Sequence, residues 1–259
     1  MTNSENGLLA MVSHELRAPL GAVLAYAHLL GSGRLDSVRT TSAIATIQRN
    51  AKAMRRIIDD LLDMSGPIGG HVCIEPDPID LVAVIHSALD DVRPAAEDAG
   101  LHLTLTCRAA SVAVAGDSLR LQQIVGNLLS NAVKFTSPGG HIDVQLGAGV
   151  AGVELRVSDT GQGISADFLP RVFDRFARAD DPGTRQQGGI GLGLALVRAL
   201  VERHGGTVQA ASEGAERGAT FTVRLPALVL PGSAVGPTSN GLTGPRSNGH
   251  AHVPPSIRR

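Results

Sequence analysis

Residues 38–65 carry Ile44, Ile47, Ala51, Met54, Ile58 and Leu61 at gaps of 3, 4, 3, 4 and 3. That spacing is the apolar seam of a helix that meets another helix along its whole length. Residues 5–31 repeat it with Leu9, Val12, Leu16, Leu20, Val23, Ala27 and Leu30, and Gly31-Ser32-Gly33 marks the turn between. A two-helix hairpin has no way to bury such a stripe alone. A second copy closes an antiparallel four-helix bundle. The alternative is packing against the rest of the same chain; the sustained spacing favours a homodimer.

Gly66-Pro67 ends the second helix, and the Gly/Pro-rich stretch over 66–78 reads as a linker. Beyond it, residues 79–226 alternate helical and extended patterns. Helices are predicted near 79–98, 117–135 and 191–204, with strands near 101–107, 112–115, 141–147, 152–158, 207–213 and 219–225. Adjacent strands point to an α+β chain: a hairpin over 5–65, then an α/β sandwich with a mixed sheet. The Pro, Gly, Ser and Asn of 227–259 predict a disordered tail.

Composition removes several functions. A net charge of −1 gives no broad capture of nucleic acid, and with no Trp, one Tyr and five Phe there are no stacking platforms for single strands. Cys73 and Cys107 lack metal-ligand spacing and read as thiols of a reducing compartment. No stretch reaches the roughly 18 apolar residues of a membrane span, so the expectation is a cytoplasmic chain without membrane insertion. Lysine occurs only at Lys52 and Lys134.

Four places carry chemistry. His14 lies about 200° around the helix from both Val12 and Leu16, facing away from the seam. Such a ring offers a neutral nucleophilic nitrogen near pH 7, and Glu15 beside it is placed to accept a proton or hydrogen bond. Pro19 bends the helix a turn later. Taken alone, an outward helical His is most often only a solvated side chain, and that reading leads for His14. Asn127, Asn131 and Lys134 fall at i, i+4 and i+7 on one helix face, followed by Phe135. Two carboxamides and an ammonium suit a Mg²⁺–triphosphate, and Phe135 a base; a polar solvated face explains them too. Asp159-Thr-Gly161-Gln-Gly163 follows a β-rich run, so a carboxylate at the strand end meets a close-approach turn. Gly188-Gly189-Ile-Gly191-Leu192-Gly193 flows into a helix whose N-terminus presents free N–H groups to phosphate. The preceding 177–187 reads as a mobile lid.

Together and in this order these elements resemble the bacterial sensor histidine kinase family. Ser13–Leu20 looks like its phospho-acceptor box and 127–135 like its asparagine box. The two glycine boxes match at 159–163 and 189–193, the phenylalanine box at Phe173–Phe176 and the glycine–threonine motif at Gly218–Phe221. The resemblance covers residues 8–226. It implies a dimerisation and phosphotransfer hairpin joined to an ATP-binding domain of the gyrase, Hsp90 and MutL type. It further implies ATP and Mg²⁺, with a response regulator receiver domain as partner. By position, His14 is the phosphoryl acceptor assisted by Glu15, and Asn127 ligates Mg²⁺. Asn131 and Lys134 hold phosphate or ribose, Phe135 packs at the nucleotide and Asp159 reads the adenine amine. Gly161, Gly163, Gly189, Gly191, Leu192 and Gly193 line the pocket, and Thr220 supports the adenine end. The family's Thr or Asn four residues after the acceptor His is Ala18 here, which puts phosphatase activity in question. The aromatic that usually follows the phenylalanine box is Ala177.

Two other classes compete. An ATP-driven conformational switch of the Hsp90 or MutL kind needs no exposed His14 and usually carries a further domain, for which 227–259 is short. A catalytically inactive ATP-binding scaffold fits a chain that has lost a box residue, and none is visibly lost.

Overall fold

A computed structural model describes residues 3–65, 77–107, 109–149, 152–177 and 191–228. The hairpin is α1 (Asn3–Gly31) and α2 (Ser37–Ser65). The Ser32 hydroxyl donates to the Leu29 carbonyl at 2.7 Å as α1 ends. Asp36 caps α2 by accepting the Arg39 N–H at 2.7 Å. Ala43 is the one fully buried apolar residue of the hairpin among those described. The seam stays open: Leu20 is 43% exposed, and Ile44 and Ile58 are each 45% exposed.

The second region comprises β1 (Asp77–Asp80), α3 (Leu81–Asp98), β2 (His102–Cys107), β3 (Ala113–Gly116), α4 (Ser118–Phe135), β4 (His141–Gly149), β5 (Gly152–Asp159), α5 (Gly193–Arg203), β6 (Thr207–Ala211) and β7 (Ala219–Leu225). The main sheet has the order β2-β4-β5-β7-β6, with β2 and β4 parallel and every other pair antiparallel, so it is mixed as expected. Strand alternation sends Ile142, Val144, Val153, Leu155, Val157, Phe221 and Val223 to one face, where they are buried with Ile85, Leu121, Ile124, Leu128 and Leu196 of the helices. The other face is polar, and there Glu154 pairs with Arg224 and Arg156, each at 2.8 Å. The result is a two-layer sandwich, helices over one face of the sheet.

The structure corrects the sequence reading in three places. Asp77–Asp80 is a strand, paired with β3, where the linker and the start of a helix were expected. Asp80 instead caps α3, accepting the N–H groups of Val82 and Val112 at 3.1 and 3.0 Å. Ordered chain also runs past 226: Ala227 bridges Val114, and the Leu228 N–H donates to the Ala113 carbonyl. The expected linker over 66–76 and tail over 229–259 lie outside the described residues, as does Cys73; Cys107 is half-buried.

Candidate functional site

The cradle is made by the C-terminal half of α4, the turn after β5 and the N-terminus of α5. Asp117 caps α4 by accepting the Arg120 N–H at 3.1 Å, and the apolar side of the helix, including Leu121, Ile124 and Leu128, goes to the core. Asn127 goes inward with them and is 4% exposed, which removes the solvated-face explanation for this residue. Asn131, Lys134 and Phe135 are half-buried, and the Lys134 ammonium lies 4.5 Å from the Phe135 ring centroid.

One backbone hydrogen bond joins the turn after β5 to α4, and another joins it to the residue before β7. The Gln162 N–H donates to the Phe135 carbonyl at 3.1 Å, and the Gly218 N–H to the Gly161 carbonyl at 3.0 Å. Gly163 has φ +72°, and a Cβ there would collide with the Gly214 carbonyl, so the turn requires glycine. Asp159 Oδ1 accepts both the Gly161 N–H at 2.9 Å and the Ala219 N–H at 3.3 Å. Burial pushes this carboxyl above its ordinary value, and the two N–H groups pull it partly back. With both bonds on Oδ1, the second oxygen is placed to accept from a ligand amine.

The N-terminus of α5 closes the cradle. Leu192 is its N-cap and supplies no side-chain cap; its side chain is apolar and buried, so any role is through backbone. The first-turn N–H groups therefore carry the positive end of the helix dipole without a protein partner on the cap side chain, the usual setting for a phosphate. Gly193 presses on Asn127: a Cβ there would sit 3.1 Å from Asn127 Oδ1. Gly191 accepts the Phe176 N–H at 2.9 Å, which holds the phenylalanine-box end against the glycine loop, and Phe176 takes a strained φ of +63° there. Gly189 and most of the expected lid lie outside the described residues.

Thr220 lies on β7. Its hydroxyl is 3.0 Å from that of Ser158, its register partner, and alternation puts both on the sheet face opposite Asp159. The residue across from Asp159 is Ala219, acting through its N–H. Sequence reading also missed Ser212, whose hydroxyl accepts the Ile164 N–H at 2.9 Å and donates to the Gly218 carbonyl at 2.6 Å, tying the Gly163 turn to the start of β7. Strand register identifies Ala219 and loop hydrogen bonding identifies Ser212; residue spacing carries neither. His14 and Glu15 lie on α1 rather than on the cradle elements, and the direction expected of the His14 ring falls on a side chain outside the description.

The cradle fits its expected occupants on chemical grounds. A carboxamide oxygen suits a hard divalent cation. A helix N-terminus beside it suits phosphate, and an acceptor carboxylate over a glycine turn suits an amine-bearing base.

Comparison with known proteins covers both regions. The His Kinase A (phospho-acceptor) domain matches residues 4–66, and the histidine kinase-, DNA gyrase B- and HSP90-like ATPase matches residues 116–229. Hybrid signal transduction histidine kinase D of Dictyostelium discoideum is 32% identical over 276 residues, covering 89% of this chain and 18% of that protein. The mycobacterial sensor histidine kinase MprB has a structure that matches with a TM-score of 0.50 at 34% identity, covering 59% of this chain and 97% of that one. Full-length ShkA in complex with AMPPNP matches with a TM-score of 0.59 at 29% identity, covering 85% of this chain and 45% of that one. The chain spans less than half the length of the curated relatives it matches. With a phospho-acceptor match on the hairpin and an ATPase match on the sandwich, the chain belongs to the sensor histidine kinase family.

Proposed function

We propose that the chain is a kinase core that moves the γ-phosphoryl group of ATP to His14 and then to an aspartate of a response regulator receiver domain. The observation that carries this reading is the pressing of Gly193, at the α5 N-terminus, onto the buried carboxamide of Asn127. That contact supports one shared site for a cation ligand, Asn127, and a phosphate-binding helix end, with Asp159 assigned to the base.

Asp159 holds the adenine amine, Phe135 covers the base, and Asn131 and Lys134 bind phosphate or ribose. Asn127 holds Mg²⁺, which when bound offsets charge on the triphosphate. The His14 nitrogen lone pair forms the N–P bond as the bond from Pγ to the bridging oxygen breaks and ADP leaves. Glu15 takes the ring proton released. A receiver carboxylate then attacks phosphorus as the P–N bond breaks, and Glu15 returns the proton to the ring so that the imidazole departs neutral.

Two identical hairpins make the bundle, which covers the open seam of Leu20, Ile44 and Ile58. Among the described residues no helix is long and apolar enough to cross a membrane, and use of ATP as donor assigns the core to the cytoplasm. The phospho-acceptor match over residues 4–66 favours kinase over a pure ATP-driven switch.

Ala18 is exposed on α1 and has no hydrogen-bonding side chain to orient a water. The test uses a purified receiver domain with labelled protein. Label should pass to the receiver, and with ADP present the receiver's phosphate should decay slowly with wild type and faster with Ala18→Thr. No transfer of label contradicts the phosphorelay reading, and vigorous wild-type phosphatase activity unchanged by the substitution contradicts the role given to Ala18.

A further inference from the structure

His204 closes α5, is 8% exposed and lies outside the cradle. Its Nε2 is 3.2 Å from the Asp117 backbone nitrogen, and its Nδ1 is 2.8 Å from the Leu200 carbonyl oxygen. The Asp117 N–H has only a lone pair to donate to, so Nε2 is unprotonated. The ring proton then sits on Nδ1 and is donated to Leu200. A neutral imidazole in one tautomer satisfies both bonds.

Asp117 is the N-cap of α4, so this bond ties the last residue of the α5 turn to the first of the asparagine helix. The ring is tightly seated. A Cβ on Gly116 would come within 2.6 Å of His204 Cδ2 and 2.8 Å of Nε2.

The same two helices meet again at the other end, where Gly193 presses on Asn127. At 1.5 Å per residue, Asp117 to Asn127 spans about 15 Å and Gly193 to His204 about 16.5 Å. The near-equal lengths make α4 and α5 an antiparallel pair clamped at one end by His204 and meeting at the nucleotide cradle at the other. Sliding of α5 along α4 breaks the His204 bond and moves Gly193 off Asn127 together. The His204 bond adds a directional constraint to the close-packed contact between the two helices.

We infer that His204 is a positioning residue for nucleotide binding: its neutral imidazole sets the register of α5 on α4 and so places the α5 N-terminus against Asn127. This rests on the nucleotide-cradle reading of Asn127 and Gly193.

The test measures binding of a fluorescent trinitrophenyl-ATP with Mg²⁺ by the full chain, alongside thermal melting. In His204→Phe a ring of similar size remains without the acceptor, and the dissociation constant should rise on the order of tenfold, the scale of leaving one part-buried N–H without its partner. In His204→Gln a side-chain oxygen can reach the Asp117 N–H, and affinity should stay within about threefold of wild type. If His204→Phe does not fold, His204→Asn replaces it: it reaches the Leu200 carbonyl but not Asp117, and should bind as weakly. Nitrogen-15 NMR of the wild-type imidazole should show the Nδ1-protonated tautomer. Equal affinity in all variants, equal weakening in Gln and Phe, or an Nε2-protonated ring overturns the inference while leaving the cradle reading intact. A wild-type chain that binds no nucleotide overturns the cradle reading and this one with it.

Discussion

Replacing Gly193 by alanine separates stability from function in a way that only the proposed geometry explains. Gly193 is the first residue of α5, and alanine there should gain on the order of 0.5 kcal/mol by narrowing the unfolded ensemble. Against that, the new Cβ lies 3.1 Å from Asn127 Oδ1 and 3.7 Å from its Cγ. The carboxamide has to yield a few tenths of an ångström from a site where it is 4% exposed. The two effects oppose each other, so net stability should change by less than about 1 kcal/mol, or less than about 4 °C in Tm. Activity should not be spared. Metal–oxygen distances tolerate about 0.2 Å, and misplacing a reacting group by an ångström costs about a hundredfold. Autophosphorylation should fall at least about tenfold. The control is Gly126→Ala, one residue from Asn127 in α4, where a Cβ meets nothing within 4 Å. It should gain up to about 1 kcal/mol and keep its rate. Initial rates of phosphate incorporation and thermal melts on both variants decide the matter. A Gly193→Ala chain as active as wild type, or equal losses in the two variants, would refute the reasoning.

Two further outcomes follow from particular side chains. Burial raises the Asp159 carboxyl from its ordinary 3.8 on folding, so its ionisation costs stability, a cost absent below 3.8 and complete above the raised value. Asp159→Asn keeps an oxygen for the Gly161 and Ala219 N–H groups, so Tm at pH 7 should match or exceed wild type, with the difference closing towards pH 3. Titration calorimetry should meanwhile show weaker ATP binding and less discrimination against GTP; unchanged discrimination contradicts the adenine-reading role. The open seam predicts a dimer in sedimentation, converted to monomers by Ile47→Glu with Met54→Glu, and a stable monomeric wild type contradicts the bundle.

Helices were legible because apolar spacing repeats many times along each, and their observed ends fall within two residues of the expected ones. The short β1 strand was not, since Asp77-Pro78-Ile79-Asp80 has too little alternation to read and owes its form to pairing with β3. Asp36, Asp80 and Asp117 are capping residues that give each following helix its start, a role visible in sequence only as an acid ahead of an apolar run.

The cradle was legible in part for a related reason. Asn127 and Gly193 carry chemistry in their residue types, whereas the N–H of Ala219 and the hydroxyl of Ser212 act through register and loop closure. A displacement of one residue along a strand reverses its face: the Thr220 hydroxyl meets Ser158 on one side of the sheet while the neighbouring Ala219 N–H meets Asp159, and a motif match carries no such register.

The central claim is that His14 receives the γ-phosphoryl group, and the direct measurement is incorporation from γ-labelled ATP with Mg²⁺, followed by acid and by base treatment. Wild type should gain label that acid removes and base does not, as a phosphoramidate requires, and His14→Gln should gain none while still binding ATP. Label of equal amount in His14→Gln, or label that survives acid, would contradict the account.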